Sequence, residues 1–378
     1  MTENRIDRKF LVLLGLLLLL GLVMLVSASG PISFQKFGDP YWYVRHQLFF
    51  GLLPGIVMFF LLSHVDYRAL RRLARPAFYV SVLLLLLVFV PGVGADWGTS
   101  HSWINLGGFS FQPAELVKLT ILLYLADAFA DVMPDEMHDV HRGLLPFLFA
   151  LLPVSALIVL QPDLGSLIAI AALSGLTFLL AGAPWSHLAG LSGVGLLALW
   201  LLVKLKPYRA NRLMAFLHPE LDPQGIGYHI NQAFLAIGSG GLFGLGLGHS
   251  RQKYMYLPEV IGDSIFAVMS EELGYVVMLV VLGLMAAFLL RLMSLAKAMP
   301  DRFGRLLVGG IACWVFAQVI LNVGSMIGLF PMTGLPLPFV SYGGTALMVL
   351  LAAMGVVANA SRQVGGSVRS VNNVRTRI

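Results

Sequence analysis

The run LVLLGLLLLLGLVMLV, residues 11–26, is apolar on every side, and that property removes most of the folds open to a chain of 378 residues. A helix at the surface of a soluble protein keeps one wet face, whereas a helix with none lies in protein or in lipid. A barrel strand would alternate apolar and polar residues, and this run does not. A helix satisfies its own backbone hydrogen bonds in hydrocarbon. Crossing about 30 Å takes about 20 residues. Runs of that length recur at 9–28, 46–65, 76–92, 112–130, 143–160, 165–182, 186–203, 265–290, 306–329 and 341–361. With 58% hydrophobic residues, 12% charged and a mean hydropathy of +0.84, the chain is expected to be an all-α integral membrane protein of about ten spans. It reads as a single polytopic domain over 1–362. A tail of Ser, Asn, Gly, Val and Arg at 363–378 is expected to be disordered and cytoplasmic. The first run is too long for the apolar stretch of a cleaved signal.

Basic residues set the orientation. Arg5, Arg8 and Lys9, then Arg68, Arg71, Arg72 and Arg75, then Arg291, Lys297, Arg302 and Arg305, then Arg362, Arg369, Arg375 and Arg377 all fall on one side, together with both termini. That side is expected to be cytoplasmic. The segment 204–264, between the seventh and eighth spans, then lies outside despite Lys204, Lys206, Arg209, Arg212, Arg251 and Lys253. Long loops translocate regardless of charge, and a basic external loop would favour a lipid headgroup or pyrophosphate. A miscounted helix is the alternative reading of the exception. The net charge of +6 is accounted for by these rims and gives no support to nucleic-acid binding. Cys313 is the single cysteine, which excludes a disulfide framework or a cysteine metal cluster within the chain.

Four stretches are too polar for simple connectors. In SHSWINLGGFSFQPAELVKL, 100–119, Pro113 suits the first turn of the fourth span, and Glu115 and Lys118 follow on one helical face. A Glu and a Lys inside a membrane helix pair, either to hold helices together or to meet substrate. In QPDLGS, 161–166, Asp163 reads first as a helix cap and second as a ligand for substrate or a cation. In GLFPMTGLPLPFVSYGG, 328–344, prolines and glycines break the helix, and irregular backbone at that depth is tolerated where it lines a wet cavity. Ser341 and Tyr342 would face such a groove, although a tight turn into the last span explains them equally.

The fourth stretch, Gly225–Gly274, is a polar, glycine-rich interruption of an oily sequence. Its glycines match neither G-x-G-x-x-G nor a Walker A loop, so no nucleotide is expected. His218, His229 and His249 lack metal-ligand spacing and read as solvated. The acids Glu259, Asp263, Glu271 and Glu272 gather where the loop re-enters an apolar run, where carboxylates are costly enough to imply a task. Asp263 is the sharpest candidate. Half-desolvation raises a carboxyl pKa toward the range of a general base. Counted along a helix from Asp263, Glu271 lies two turns deeper and Glu272 nearly opposite.

The ordered motifs WINLGGFSFQPAELVK, QPDLGS, RLMAFLHPELDPQGIGYHINQAFLAIGSGGLFGLGLG, RQKYMYLPEVIGDSIFAVMSEELG and NVGSMIGLFPMTGLPLPFVSYGG resemble those of the SEDS family (shape, elongation, division and sporulation) over about residues 8–362. VSASG followed by DPYWYVRHQL is more similar to the division branch than to the elongation branch. The resemblance implies ten transmembrane helices, cytoplasmic termini in the bacterial cytoplasmic membrane, a large external loop between helices 7 and 8, and polymerisation of lipid II into glycan strands. It places the catalytic aspartate on Asp263, as the base that deprotonates an acceptor sugar hydroxyl. Arg212, Lys253 and Lys118 are then candidates for the leaving pyrophosphate, helped by a divalent cation such as Mg or Mn. Glu115 and Lys118 with Arg45 or His46 would hold the headgroup, with Asp163 and Ser341 nearby and Glu259 supporting the loop. The expected partners are a class B penicillin-binding protein, which is a transpeptidase, and other division or elongation membrane proteins. A lipid II flippase and the elongation-type paralogue are the alternatives. The chain departs from the family pattern at Ser102, where an Arg commonly precedes the Trp, at Leu245, commonly basic, and around Asp263, where Ile261, Gly262 and Ser264 stand in an H-T-D-F run.

Overall fold

The computed structural model describes residues 6–375 except 98–99, 107–108 and 206; the side chains of a few other positions, Arg212 among them, also lie outside the description. All ten expected spans fall on helices, and two further helices lie between the seventh and the eighth of them. In chain order these are α1 (Arg8–Phe37), α2 (Trp42–His64), α3 (Tyr67–Leu87), α4 (Pro113–Ala130), α5 (Val140–Leu160), α6 (Leu164–Leu180), α7 (Trp185–Leu205), α8 (Pro207–Leu217), α9 (Tyr228–Ser239), α10 (Ile265–Lys297), α11 (Arg302–Met326) and α12 (Gly344–Arg375). Among the described residues, six are long and apolar enough to cross a membrane: α1, α2, α5, α10, α11 and the Gly344–Gln363 part of α12. The others miss that mark for local reasons. Helix α3 opens on Arg68, Arg71, Arg72 and Arg75, α4 carries Glu115, Lys118 and Asp127, and α6 has 17 residues. The tail expected over 363–378 falls largely outside the described side chains.

Burial sorts the helices into layers. In α11 and α12, 78% and 83% of the most apolar stretch is buried, against 33% in α1 and 28% in α2, α5 and α10. The exposed side chains of the outer helices are Leu, Val and Phe, for example Val12, Leu19, Phe60 and Val280. Such faces fit hydrocarbon, so the chain is a multi-pass membrane protein with α11 and α12 at its centre.

Arginines gather at one end of the bundle. Arg71 donates to Asp127 at 3.0 Å and also bonds Asp131, Arg75 donates to Asp127 at 3.0 Å, and Arg291 donates to Asp7 at 2.9 Å. Tyr67 donates its hydroxyl to Asp301. These side chains tie the starts of α1, α3 and α11 to the ends of α4 and α10. The basic residues that sequence assigns to one side are therefore together in space.

Two features of the opposite end differ from the sequence expectation. The segment between α3 and α4 was expected to be irregular, yet β1 (Gly94–Trp97), β2 (Ser100–Leu106) and β3 (Phe109–Phe111) form an antiparallel sheet in that order, with Ala95 opposite Trp103 and Asn105 opposite Ser110. The signal is the short alternation in β2, where Ser102 and Ile104 are buried while Trp103 and Asn105 are not. The long segment 204–264 is likewise not all loop, since α8 and α9 lie inside it.

Candidate active site

Asp263 sits in the last turn before α10, and its neighbours hold it there. Gly262 and Ser264 both donate backbone N–H groups to the Glu259 carbonyl, at 2.9 and 3.3 Å, with Glu259 itself at φ 50°. Asn322 of α11 donates its amide to the Asp263 carbonyl and to that of Leu335, both at 2.8 Å, and the Tyr342 N–H donates to Ile261 at 2.8 Å. The turn is thus clamped between α11 and the break before α12. The buried carbonyls of this turn, which lies ahead of the helix, are satisfied by these donors, as a buried chain reversal requires. Asp263 is only 9% exposed.

Its carboxylate has polar company. Ser264 lies with its hydroxyl 3.3 Å from Asp263 Oδ1, and His229 Nε2, from the first turn of α9, is 2.6 Å from the same hydroxyl. Glu259 shares the site: burial first, and then the charge of Asp263, push its carboxyl above the ordinary range, while Lys36 and His229 pull it back. Two carboxylates kept from water raise one another's cost of ionisation. Sequence reasoning missed the counter-charge. It ended the first span at residue 28, whereas α1 continues to Phe37 and carries Lys36 to the acids.

Glu271 and Glu272, eight and nine residues on, have a different role. Glu271 accepts from the Ser250 hydroxyl at 2.5 Å, the Arg251 and Gln252 N–H groups at 3.0 and 3.3 Å, and Ser239 at 3.3 Å. Glu272 accepts from Ser27 of α1 at 2.6 Å and from Lys253 at 2.7 Å, with Lys253 3% exposed and also 3.3 Å from Ser27. Lys253 is therefore spent on Glu272, which corrects its assignment to the pyrophosphate: a buried ammonium with a carboxylate partner would have to break that pair to meet an anion.

The glycines explain how the loop reaches α10. Gly274 adopts φ 74°, ψ 172° and breaks the helix, so the eighth span is not one regular helix. The freed backbone groups are taken up by the glycine-rich chain crossing them: Leu245 and Gly246 donate to Glu271 and Glu272, while Tyr275 and Val276 donate to Gly241 and Leu242, at 2.9 to 3.1 Å. A Cβ on Gly244 would lie 2.2 Å from the Glu272 carbonyl oxygen, and one on Gly274 2.1 Å from the Gly244 nitrogen. Close packing and turns are what the glycine run supplies, as expected.

Deeper in the bundle, Lys118 donates to Glu115 at 2.7 Å and to Gln318 at 3.3 Å, with Trp314 and Pro336 also bound to Gln318 at 2.8 Å. Both members of the pair are buried. Glu115, Gln318, Trp314, Pro336 and Ser341 line one narrow cavity, and Glu115 Oε2 is buried with no hydrogen-bond partner among the described residues. Ser341 accepts from the Leu337 N–H at 2.7 Å. The structure brings Glu115, Lys118 and Ser341 together as expected.

The remaining candidates divide. Asp163 caps α6, accepting from the Ser166 N–H and hydroxyl at 3.0 and 2.7 Å and from Gln112 at 3.1 Å. Its first reading, as a cap, describes what its oxygens do. His46 bonds the Tyr342 hydroxyl at 2.8 Å and stacks on Trp42, joining α2 to the break beside Asp263. Arg45 is exposed and pairs with Asp39 at the rim. Arg212 lies on α8, with its side chain outside the described residues.

A bundle of apolar helices with a clamped, buried acid at one end and arginines at the other defines a polytopic membrane protein with a polar site at one end of the bundle. The chain belongs to the FtsW/RodA/SpoVE family of cell cycle proteins, the SEDS family, whose model matches residues 7–365. It is 40% identical to stage V sporulation protein E of Bacillus subtilis, covering 94% of this chain and 97% of that one. It is 38% identical to the probable peptidoglycan glycosyltransferase FtsW of Trichlorobacter lovleyi, covering 90% and 89%. Among solved structures it is similar to a chain of a peptidoglycan synthase complex that coordinates polymerization and crosslinking, with TM-score 0.77, 32% identity and coverage of 95% and 98%. The rod shape determining protein RodA of Thermus thermophilus matches with TM-score 0.69 at 32% identity, covering 95% and 97%.

Proposed function

We infer that this chain is a peptidoglycan glycosyltransferase, which polymerises lipid II into glycan strands at the outer face of the bacterial cytoplasmic membrane. The observation that carries the reading is Asp263, a carboxylate held by backbone clamps at 9% exposure beside a second acid. A base must be positioned before it is strong, and this one is positioned from three sides. Asp263 takes the proton of the acceptor sugar hydroxyl. The freed oxygen attacks the anomeric carbon of the growing strand, a C–O bond forms, and the bond to undecaprenyl pyrophosphate breaks with its electron pair leaving on phosphate. Lys36, whose charge already reaches Glu259, is the cation placed to meet the negative charge that develops there. Arg212 is kept as a second candidate. The Glu115–Lys118 pair and Ser341 line the path for the headgroup, with His46 and Arg45 toward the rim.

A divalent cation was expected to help. Among the described residues no three His, Cys, Asp or Glu side chains are grouped to hold a metal, and no step is derived through one. The termini and the arginine-rich end are placed in the cytoplasm by the positive-inside rule. The likeness to a chain of a peptidoglycan synthase complex supports a class B transpeptidase as partner, and the FtsW-named relatives support a role in division over elongation. Depletion in the source cells then yields filaments; round cells would assign it to elongation.

The test is reconstitution of the protein with its transpeptidase partner and lipid II in liposomes, alongside Asp263→Asn. The wild type makes polymer and the variant loses at least about 10²-fold in rate, the scale of a lost general base. Equal polymer from both contradicts the assignment. Movement of labelled lipid II by both, with polymer from neither, would make the protein a flippase.

A further inference from the structure

The residue after Asp263 is where this chain leaves the family's pattern, and it changes what Asp263 touches. Ser264 is fully buried, and its hydroxyl lies between His229 Nε2 at 2.6 Å and Asp263 Oδ1 at 3.3 Å. A hydroxyl has one proton. If it donates to the carboxylate, it must accept from the imidazole, so the chain of bonds runs His229 Nε2–H to Ser264 Oγ and Ser264 O–H to Asp263. His229 reaches this point because α9 begins at Tyr228 and packs against α10, which puts the first turn of α9 over the start of the other helix.

We propose that His229 and Ser264 are positioning residues for Asp263: the imidazole orients the serine hydroxyl, and the hydroxyl orients one carboxylate oxygen and favours its ionised form. The inference rests on the glycosyltransferase reading above. Hydrogen bonds donated to a carboxylate favour its ionised form, which is what the serine hydroxyl offers Asp263. Ile261 and Gly262 stand where the family carries His and Thr, so neither can supply a side-chain donor here. The relay provides one from the other side of Asp263, built from a different helix.

The groups that bear on His229 come from every neighbour. They are Glu259 and Asp263 on the turn, Lys36 at the end of α1, Tyr228 on its own helix, and Glu271 and Glu272 of α10, which are held by Ser239, Ser250 and Lys253. The facing end of α11 offers the neutral Asn322 and Ser325. The acid limb of the rate is therefore read as a shift between variants rather than as one absolute value.

Lipid II polymerisation is measured across about pH 5–8, the window in which a histidine and a raised carboxyl titrate, for the reconstituted complex carrying Ser264→Ala, Ser264→Thr, His229→Ala, His229→Gln or Asp263→Asn. Loss of the hydroxyl in Ser264→Ala is expected to lower the rate about three- to tenfold, the scale of one ordinary net hydrogen bond. It should also move the acid limb to higher pH by about half to one unit. Ser264→Thr keeps the hydroxyl and restores both. His229→Ala shifts the limb in the same direction, and His229→Gln, which can still donate, recovers most of the rate. A purely structural role predicts a slower enzyme with the limb unmoved, and that result overturns the relay, as does a Thr variant no better than Ala. If Asp263→Asn is inactive while the limb stays put, the relay alone fails. If Asp263→Asn still makes polymer, the glycosyltransferase assignment of Asp263 fails and the relay with it.

Discussion

Two pairs of acids flank the start of α10, and they are built in opposite ways. Glu271 and Glu272 are saturated: between them they accept from Ser239, Ser250, Arg251, Gln252, Ser27 and Lys253. Glu259 and Asp263 face each other instead, and among the described residues the charges of Lys36, on an exposed helix end, and of His229 bear on Glu259. A buried charge whose every lone pair is occupied stabilises one arrangement and has nothing left for substrate. An acid clamped by its backbone, beside another acid, is costly to the fold and useful to a reaction. Sequence puts Asp263 first among the four acids; the partners of Glu271 and Glu272 give the physical reason to set those two apart.

The comparison can be broken first at the saturated pair. Lys253→Ala leaves Glu272 buried without its cation and is expected to cost about 3–5 kcal/mol. Lys253→Met combined with Glu272→Leu, which removes both charges, should recover most of that loss in a thermal or denaturant unfolding series. A single variant as stable as the wild type would mean that the pair is not desolvated. Next comes Gly274→Ala. Its φ and ψ fall in a region that glycine alone occupies readily, and a Cβ would strike the Gly244 nitrogen, so a loss of about 1–3 kcal/mol is expected. The same substitution at Gly15, where nothing lies within 4 Å of a Cβ, is the control.

The smallest effect is at Glu259 and has the opposite sign. Its carboxyl is raised above the ordinary value of 4.5 by burial and by Asp263. An acid whose folded pKa is raised contributes stability below its unfolded pKa and loses it as pH rises through the folded value. Glu259→Gln should therefore match the wild type in unfolding midpoint below about pH 4 and become the more stable of the two as pH rises above it, with the difference levelling off once the wild-type group is ionised. A variant less stable at neutral pH than at acid pH, relative to wild type, would show that Glu259 is stabilised as an anion.

The apolar helices were legible because each run announces itself over about 20 residues. The glycine run was legible as close packing because its spacing fits no phosphate loop. What stayed hidden depends on contacts far apart in sequence. Ser27 meets Glu272 across 245 positions and Lys253 across 226, and these contacts, with the Glu272 carboxylate on the ammonium, make Lys253 a structural cation. His229 read as a solvated histidine because a helix of 12 residues inside a polar segment gives a weak apolar pattern. Lys36 was lost to an early helix end: the first span closes at residue 28 in the sequence reading, but α1 runs on for six residues past Pro31. The sheet before α4 was missed because a three-residue strand carries too little alternation to register against long apolar runs.

The most direct test measures stability and synthesis on the same preparations of Asp263→Asn and Glu271→Gln. Asp263→Asn should unfold within about 1 kcal/mol of the wild type, since an isosteric change keeps the backbone clamps and disturbs little packing, while polymer synthesis falls by at least about 10²-fold. Glu271→Gln should lose stability, because an amide cannot accept from all its donors, while the folded fraction keeps polymerising at a rate within a few fold of wild type. The reverse pattern, polymer from Asp263→Asn and a stable but inactive Glu271→Gln, would contradict the account by moving the chemistry into the saturated pair.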